Sequence, residues 1–298
     1  MGIPAGLTET AAVVALLRQG RRSPHVYAEL LEDTASAAAL LERELATGDG
    51  QGALFPAASP ALLLEQAADD VGRWQREGMT VVTVLDPDYP TNLRAVHDRP
   101  ALIFIAGHLP ADEDRSVAII GSRRASEAGR ARARSVAHEL GRRGYTIISG
   151  LAAGIDTAAH TAALDAGHRT VAVIGTGLRH SYPPENAQLQ RDIAGRGAVV
   201  SQFWPDSPPS RESFPARNAT MSGLAAATVI VEASPRSGAR IQARRALAHG
   251  RPVFIARELM SQDWARELAA SPGVSAYGSA EEIAARIESL RADTPLTT

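Results

Sequence analysis

Four short segments carry small, polar or arginine residues where apolar runs give way to helical patterns. They are Gly121-Ser122-Arg123-Arg124, Ser149-Gly150-Leu151-Ala152-Ala153-Gly154-Ile155-Asp156, Phe214-Pro215-Ala216-Arg217-Asn218, and Ser237-Gly238 ahead of Arg240. A strand–turn–helix unit aims free backbone N–H groups, and the positive end of a helix dipole, at whatever occupies the turn. Arg123 and Arg124 fall at that positive end, where a cation is ordinarily disfavoured and a bound anion would relieve the conflict. The chemistry expected is therefore phosphate binding, with an arginine and small residues repeated at several strand ends.

Within the second segment Asp156 and His160 stand four residues apart at a helix start. Their spacing fits an N-cap carboxylate with a helical side-chain pair, and also a carboxylate orienting an imidazole for proton transfer. No nucleophile or metal cluster accompanies them, so the first reading is favoured. The other histidines are dispersed without ligand spacing, and no metal or cofactor is expected. The glycine turn at Gly121 is no dinucleotide fingerprint, because its second and third glycines are missing and the next strand ends at Ser149 rather than at an acidic residue.

The chain has 298 residues, no cysteine and a net charge of −2, and all 31 of its basic residues are arginine. Disulfides, thiolate metal sites and thiol catalysis are thereby excluded. Schiff-base chemistry and a P-loop lysine are excluded too. The balanced charge offers no global attraction to nucleic acid, so any such contact must be a local patch. Seven arginines lie between 121 and 143. Arg142 and Arg143 sit at the far end of the intervening helix, and Arg130 and Arg134 share a solvated face. No apolar run spans a bilayer and no signal segment is apparent, so a cytoplasmic protein is expected.

The elements that must position these residues can be read from periodicity. Three short helices are expected in 8–47, a glycine-rich break at 48–52, and a helix over 60–77. Short strands follow at 80–85 and 101–105. From Val117 the pattern alternates, with strands at 117–120, 145–148, 170–174, 198–201, 228–232 and 252–255. Helices are expected at 126–142, 155–166, 186–195, 217–226, 238–249, 261–270 and 279–291. Continuous apolar strands separated by single helices predict an α/β fold whose mostly parallel sheet carries helices on both faces. Ligands bind such sheets outside the carboxyl ends of the strands, where both glycine turns fall.

These residues resemble the DNA-processing protein A (DprA/Smf) family. The likeness lies in Gly121-Ser122-Arg123, in Ser149-Gly150 through Gly154-Ile155-Asp156 with Ala159-His160, and in Tyr182-Pro183 with Asn186. It continues in Phe214 with Arg217-Asn218, Gly223-Leu224, Val231-Glu232-Ala233 and Ser237-Gly238, and upstream in Asp88-Tyr89-Pro90, Leu93, Pro100, Leu102, Phe104 and Gly107. It spans roughly residues 86–256.

The resemblance implies a helical N-terminal domain (1–78), an extended Rossmann-like domain (79–291, core 116–256) and a tail (292–298) without a winged helix. It implies single-stranded DNA binding without catalysis, transfer of that DNA to RecA during natural transformation, a homodimer and no membrane. By position the pocket that the resemblance implies uses Arg123, Ser149, Gly150 and Arg217; with the residues read above, the candidate phosphate-binding site comprises Gly121, Ser122, Arg123, Arg124, Ser149, Gly150, Gly154, Asp156, His160, Arg217, Asn218, Ser237, Gly238 and Arg240. The chain departs from the family pattern at Gln202, Ala219, Ala239 and Gln242, the last two replacing small hydroxyl residues, and at Ala256-Arg257.

Two other functions fit the same sheet. One is a phosphoribohydrolase of the lysine-decarboxylase-like (LOG) family, but Gln242 stands near where its catalytic carboxylate belongs, and an amide cannot move the proton. Glu232 would substitute only by facing the pocket. The other is a sensor of small nucleotides. For DNA binding, aromatic residues at 4% of the chain argue against affinity dominated by stacking. Three engaged arginines predict a slope of log K against log salt near about −2, from ~0.7 per contact.

Overall fold

The computed structural model describes residues 5–48, 59–235 and 237–292. Four helices lead: α1 (Ala5–Gln19), α2 (Pro24–Thr34), α3 (Ala37–Gly48) and α4 (Pro60–Arg76). Serine precedes proline at the starts of α2 and α4, and Ser59 Oγ accepts from Leu62 N, which satisfies one free amide of α4. Most of the break expected at 48–52 lies outside the described residues. Next come β1 (Met79–Thr83), the short α5 (Thr91–Arg94) and β2 (Leu102–Gly107).

The alternating portion then runs β3 (Ser116–Gly121), α6 (Glu127–Arg142), β4 (Thr146–Ser149), α7 (Ile155–Asp165), β5 (Thr170–Val173), α8 (Ala187–Arg196) and β6 (Ala198–Ser201). It continues with α9 (Ser213–Leu224), β7 (Ala227–Glu232), α10 (Gly238–Ala248), β8 (Val253–Ala256), α11 (Asp263–Ala269), β9 (Val274–Tyr277) and α12 (Ala280–Ala292). All nine strands form one sheet in the order β1-β2-β6-β5-β4-β3-β7-β8-β9. β1–β2 and β2–β6 are antiparallel and the other six pairings are parallel. The α/β expectation therefore holds.

Three elements differ from the sequence expectation. The short α5 went unread because its four residues are too few to show a helical period. β9 went unread because its four residues lie at the sheet edge and three of them are only partly buried or exposed, which breaks the apolar-run signal. Helix α9 begins at Ser213, not 217, so Arg217 and Asn218 stand in its second turn rather than at its start. Of the tail expected at 292–298, residues 293–298 lie outside the described residues.

Strand order explains where a ligand can enter. From β3 the chain builds outward through β4, β5 and β6, then returns across the sheet to β7 and proceeds the other way through β8 and β9. Right-handed crossovers then put α6, α7 and α8 on one face and α9 and α10 on the other. The segments that follow β3 and β7 leave for opposite faces of the sheet at this reversal, and a crevice lies between them outside the carboxyl ends of the paired strands. β3 and β7 are in register from Val117↔Ala227 to Gly121↔Glu232, with an irregularity at Ile120/Gly121.

The main apolar cluster runs from Ala11 to Ile287, with Val117, Ile119, Ile147, Val229, Ile230 and Ile255 fully buried along the parallel strands, and a smaller one gathers Leu151, Leu164, Ala172, Ile174, Ile193 and Val199. The leading helices join the main cluster through stacked rings. Trp74 meets Phe104 edge-on at 5.0 Å and Trp204 at 6.0 Å, and the Arg18 guanidinium lies over both indoles. Glu32 pairs with Arg94 and Arg99 and ties α2 to the segment before β2.

Candidate nucleic-acid interface

A cleft of about 630 Å³ opens at the β3/β7 reversal. Into it face Gly121, Ser122, Arg123 and Arg124 after β3, Ala152 and Asp156 at the start of α7, and Phe214, Arg217 and Asn218 from α9. Ser237, Gly238, Ile241 and Gln242 of α10 close the remaining side. Nine of the fourteen expected site residues thus share one wall system. Gly150 lines a smaller adjoining hollow with Tyr182, Phe214 and Arg217, and Gly154 lines a groove beside Arg123 and Arg124.

The premise that several helix starts await an anion needs correction. At α6, Ser126 Oγ accepts from Gly129 N, and the Glu232 carboxylate accepts from Ser126 N at 3.0 and 3.2 Å and from Ser126 Oγ. An internal anion already sits at that positive end. At α7, Ile155 N donates to Ser122 O at 3.2 Å, while Gly150 N and Ala152 N donate to Asp156 Oδ2. A distant residue thus engages each start, and the Ser122–Ile155 bond packs the two consecutive glycine turns against each other. Gly154 is required for this: its φ is +84°, and a Cβ there would collide with the Ser122 carbonyl.

What remains available is charge. Of the seven arginines between 121 and 143, five pair with Glu127, Glu139 or Glu258. Arg123 and Arg124 are exposed, and among the described residues neither has a carboxylate partner. Arg123 lies over the Phe214 ring at 4.9 Å, and Phe214 in turn meets Tyr182, 40% exposed, at 5.5 Å between centroids. A cation and two rings therefore form a continuous ledge.

Arg217 is a strut. It is buried, its Nη1 donates to the Gly150 and Val173 carbonyls and its Nε donates to Asn218 Oδ1 at 3.1 Å. Burial holds its pKa down to about 10, so it stays protonated at neutral pH. Burial likewise pushes the Asp156 carboxyl up, against the opposing pull of Arg217 and of the Ala152 and Gly150 amides.

Three expected residues turn away from the cleft. Ser149 is buried and donates to Ile119 O at 2.6 Å, fastening β4 to β3. His160 is buried under α7, with Nδ1 2.7 Å from Thr170 Oγ1, whose proton goes to Ile147 O. The imidazole faces the sheet core, and desolvation holds its pKa down to about 3, so it is neutral. Asp156 and His160 therefore form no acid–base pair. Arg240 points across α10: its Nη1 donates to Pro235 O at 2.6 Å and its guanidinium lies over Trp264 at 5.4 Å, in a separate groove with Arg244.

Tertiary structure also gathers a cluster that sequence spacing hid. His97, Asp98 and His249 bring ligand atoms within 4.8 Å of one another. His249 Nε2 is 2.7 Å from Asp98 Oδ1, its Nδ1 is 2.9 Å from Ser222 Oγ, and Arg245 holds the other Asp98 oxygen at 3.1 Å. Both ring nitrogens of His249 and both carboxylate oxygens thus have protein partners, and the cluster latches the loop before β2 to α10.

A Rossmann-like sheet with its cleft at the strand reversal and arginines at its mouth defines a nucleotide- or nucleic-acid-binding class of fold. The sequence pattern of DNA recombination-mediator protein A matches residues 80–283, and the chain belongs to that family. It is 42% identical over 172 residues to DNA processing protein DprA of Streptococcus pneumoniae, covering 58% of this chain and 61% of that one. It is 40% identical over 184 residues to protein Smf of Synechocystis, covering 60% of this chain and 46% of the relative. The matches span about half to three fifths of the curated relatives.

The crystal structure of the Streptococcus pneumoniae protein superposes with a TM-score of 0.73 at 29% identity, covering 96% of this chain and 98% of that one. A structure of DNA processing protein A from Helicobacter pylori, described for its single-stranded DNA binding mode, superposes at 0.62 with 26% identity over 72% of this chain and 96% of that one.

Proposed function

We propose that this protein binds single-stranded DNA across the β3/β7 cleft and performs no turnover on it. The observation that carries the reading is the pair Arg123 and Arg124, exposed and, among the described residues, without carboxylate partners at the reversal point of the sheet. Phosphates engage the two guanidinium groups, and the Tyr182–Phe214 ledge offers bases a stacking surface. The family and the Helicobacter pylori relative support the choice of ligand. Transfer of the strand to RecA during natural transformation, a homodimer and a cytoplasmic setting belong to the same reading. Among the described residues no helix is long and apolar enough to cross a membrane.

The enzyme alternative is disfavoured by two carboxylate positions. Gln242 stands where a nucleotide N-glycosidase would need its acid, and the Glu232 carboxylate is occupied at the start of α6. Fluorescence anisotropy with a labelled oligothymidylate, titrated with salt, tests the proposal. With two arginines engaged rather than three, log K should fall against log salt with a slope of about −1.4, from ~0.7 per phosphate contact. Equal affinity for free nucleoside monophosphates, or release of free base from them, would reverse the reading.

A further inference from the structure

We propose that Gln242 forms a nucleobase subsite in this cleft, distinct from the phosphate-binding end at Arg123 and Arg124; the inference rests on the DNA-binding reading above. Gln242 is 1% exposed, and neither its Nε2 nor its Oε1 has a hydrogen-bond partner. A buried amide with both polar atoms unpaired is unusual and calls for a partner that arrives from elsewhere. Gln242 stands four residues after Gly238 and next to Ile241, so one face of α10 presents all three to the cleft. Around Gly238 there is open space for an occupant, and Ile241 is an apolar surface that is 50% exposed.

The amide's own chemistry selects the occupant. A phosphate or carboxylate would satisfy the Nε2 donor and leave the Oε1 acceptor facing another acceptor. A nucleobase edge offers a donor and an acceptor side by side, and a glutamine matches adenine through N6 and N7 in this way. The ring face beside that edge then meets Ile241.

The test compares oligodeoxyadenylate, oligodeoxythymidylate and an oligomer of abasic sites, using the full-length protein and its Q242M and Q242T variants. The unaltered protein should bind the adenine strand about tenfold more tightly than the thymine one, within the range of one bidentate base contact. Q242M should reduce that adenine-over-thymine preference to near onefold, while both strands keep their advantage over the abasic one from the Tyr182–Phe214 ledge. Its thermal midpoint should rise, because an unpaired buried amide has been removed. Should Q242M unfold, Q242T carries the comparison with the same expected loss of preference. Retention of the full adenine preference in a folded variant overturns the subsite alone. Failure of the unaltered protein to bind any strand, the abasic one included, overturns the DNA-binding reading as well.

Discussion

The Arg217 guanidinium occupies the space where a side chain on Gly150 would begin. A Cβ at Gly150 would collide with Nη1, Cζ and Nη2, and Nη1 donates to the Gly150 carbonyl and, at 2.7 Å, to that of Val173. One residue from α9 thus ties together the carboxyl ends of β4 and β5. An arginine this deeply buried acts first on the shape of the cleft.

Replacing Arg217 by alanine should therefore cost stability. Two buried carbonyls lose their donor and Asp156 loses a compensating charge, a loss on the order of 3 kcal/mol. Urea unfolding would show a lowered midpoint, and Gly150→Ala should lower it too by expelling the guanidinium. An unchanged midpoint in Arg217→Ala would mean that this side chain is no strut.

Arg123→Ala should behave in the opposite way. The residue is exposed and among the described residues lacks a carboxylate partner, so only its contact with the Phe214 ring is lost and stability should change by less than about 1 kcal/mol. The salt slope of single-strand binding should become shallower by about 0.7, one lost phosphate contact. Affinity should drop for all sequences alike, since a phosphate contact carries no base information. Oligomers of different sequence, compared at several salt concentrations, would decide it.

Glu232→Gln separates a structural carboxylate from a catalytic one. The variant removes the negative charge from the start of α6 and should cost about 1 kcal/mol of stability. DNA affinity should stay level or rise, because an anion near Arg123 and Arg124 has been neutralised. A catalytic Glu232 would instead show itself as lost turnover of nucleotides with binding intact.

Acid should destabilise the fold partly through His160. Burial holds its folded pKa down to about 3 against an ordinary value of 6.5, so the unfolded chain binds the proton between those limits and the folded chain does not. The contribution is therefore present above pH 6.5 and is lost as pH falls toward 3, at up to about 1.4 kcal/mol per pH unit. In His160→Gln this part of the acid slope should vanish when unfolding is measured across that range. An identical slope would place the titration elsewhere.

Much of the architecture was legible because strands and helices follow local periods. The apolar runs ending at Ile120, Ile148 and Val231 announced buried parallel strands, and the turn residues after them announced the cleft edge. β9 escaped because an edge strand needs only one buried face. The start of α9 was misplaced by four residues because Ser213-Phe214-Pro215 reads as a turn until packing supplies its context.

By itself, the sequence determined that an α/β sheet would form, that thiol and lysine chemistry were impossible, and that phosphate-binding residue types would gather at one sheet edge. Only the tertiary structure decided which of them are available. Glu232 reaches Ser126 across 106 positions, and Ser122 reaches Ile155, so two helix starts that looked open are each engaged by a distant residue. Arg240 and His160 turn aside, while Tyr182, Phe214 and Arg123 assemble a ledge. The reason is one of range: backbone conformation responds to neighbours a few residues away, whereas the partner of a side chain is whichever group the completed fold brings within about 3 Å.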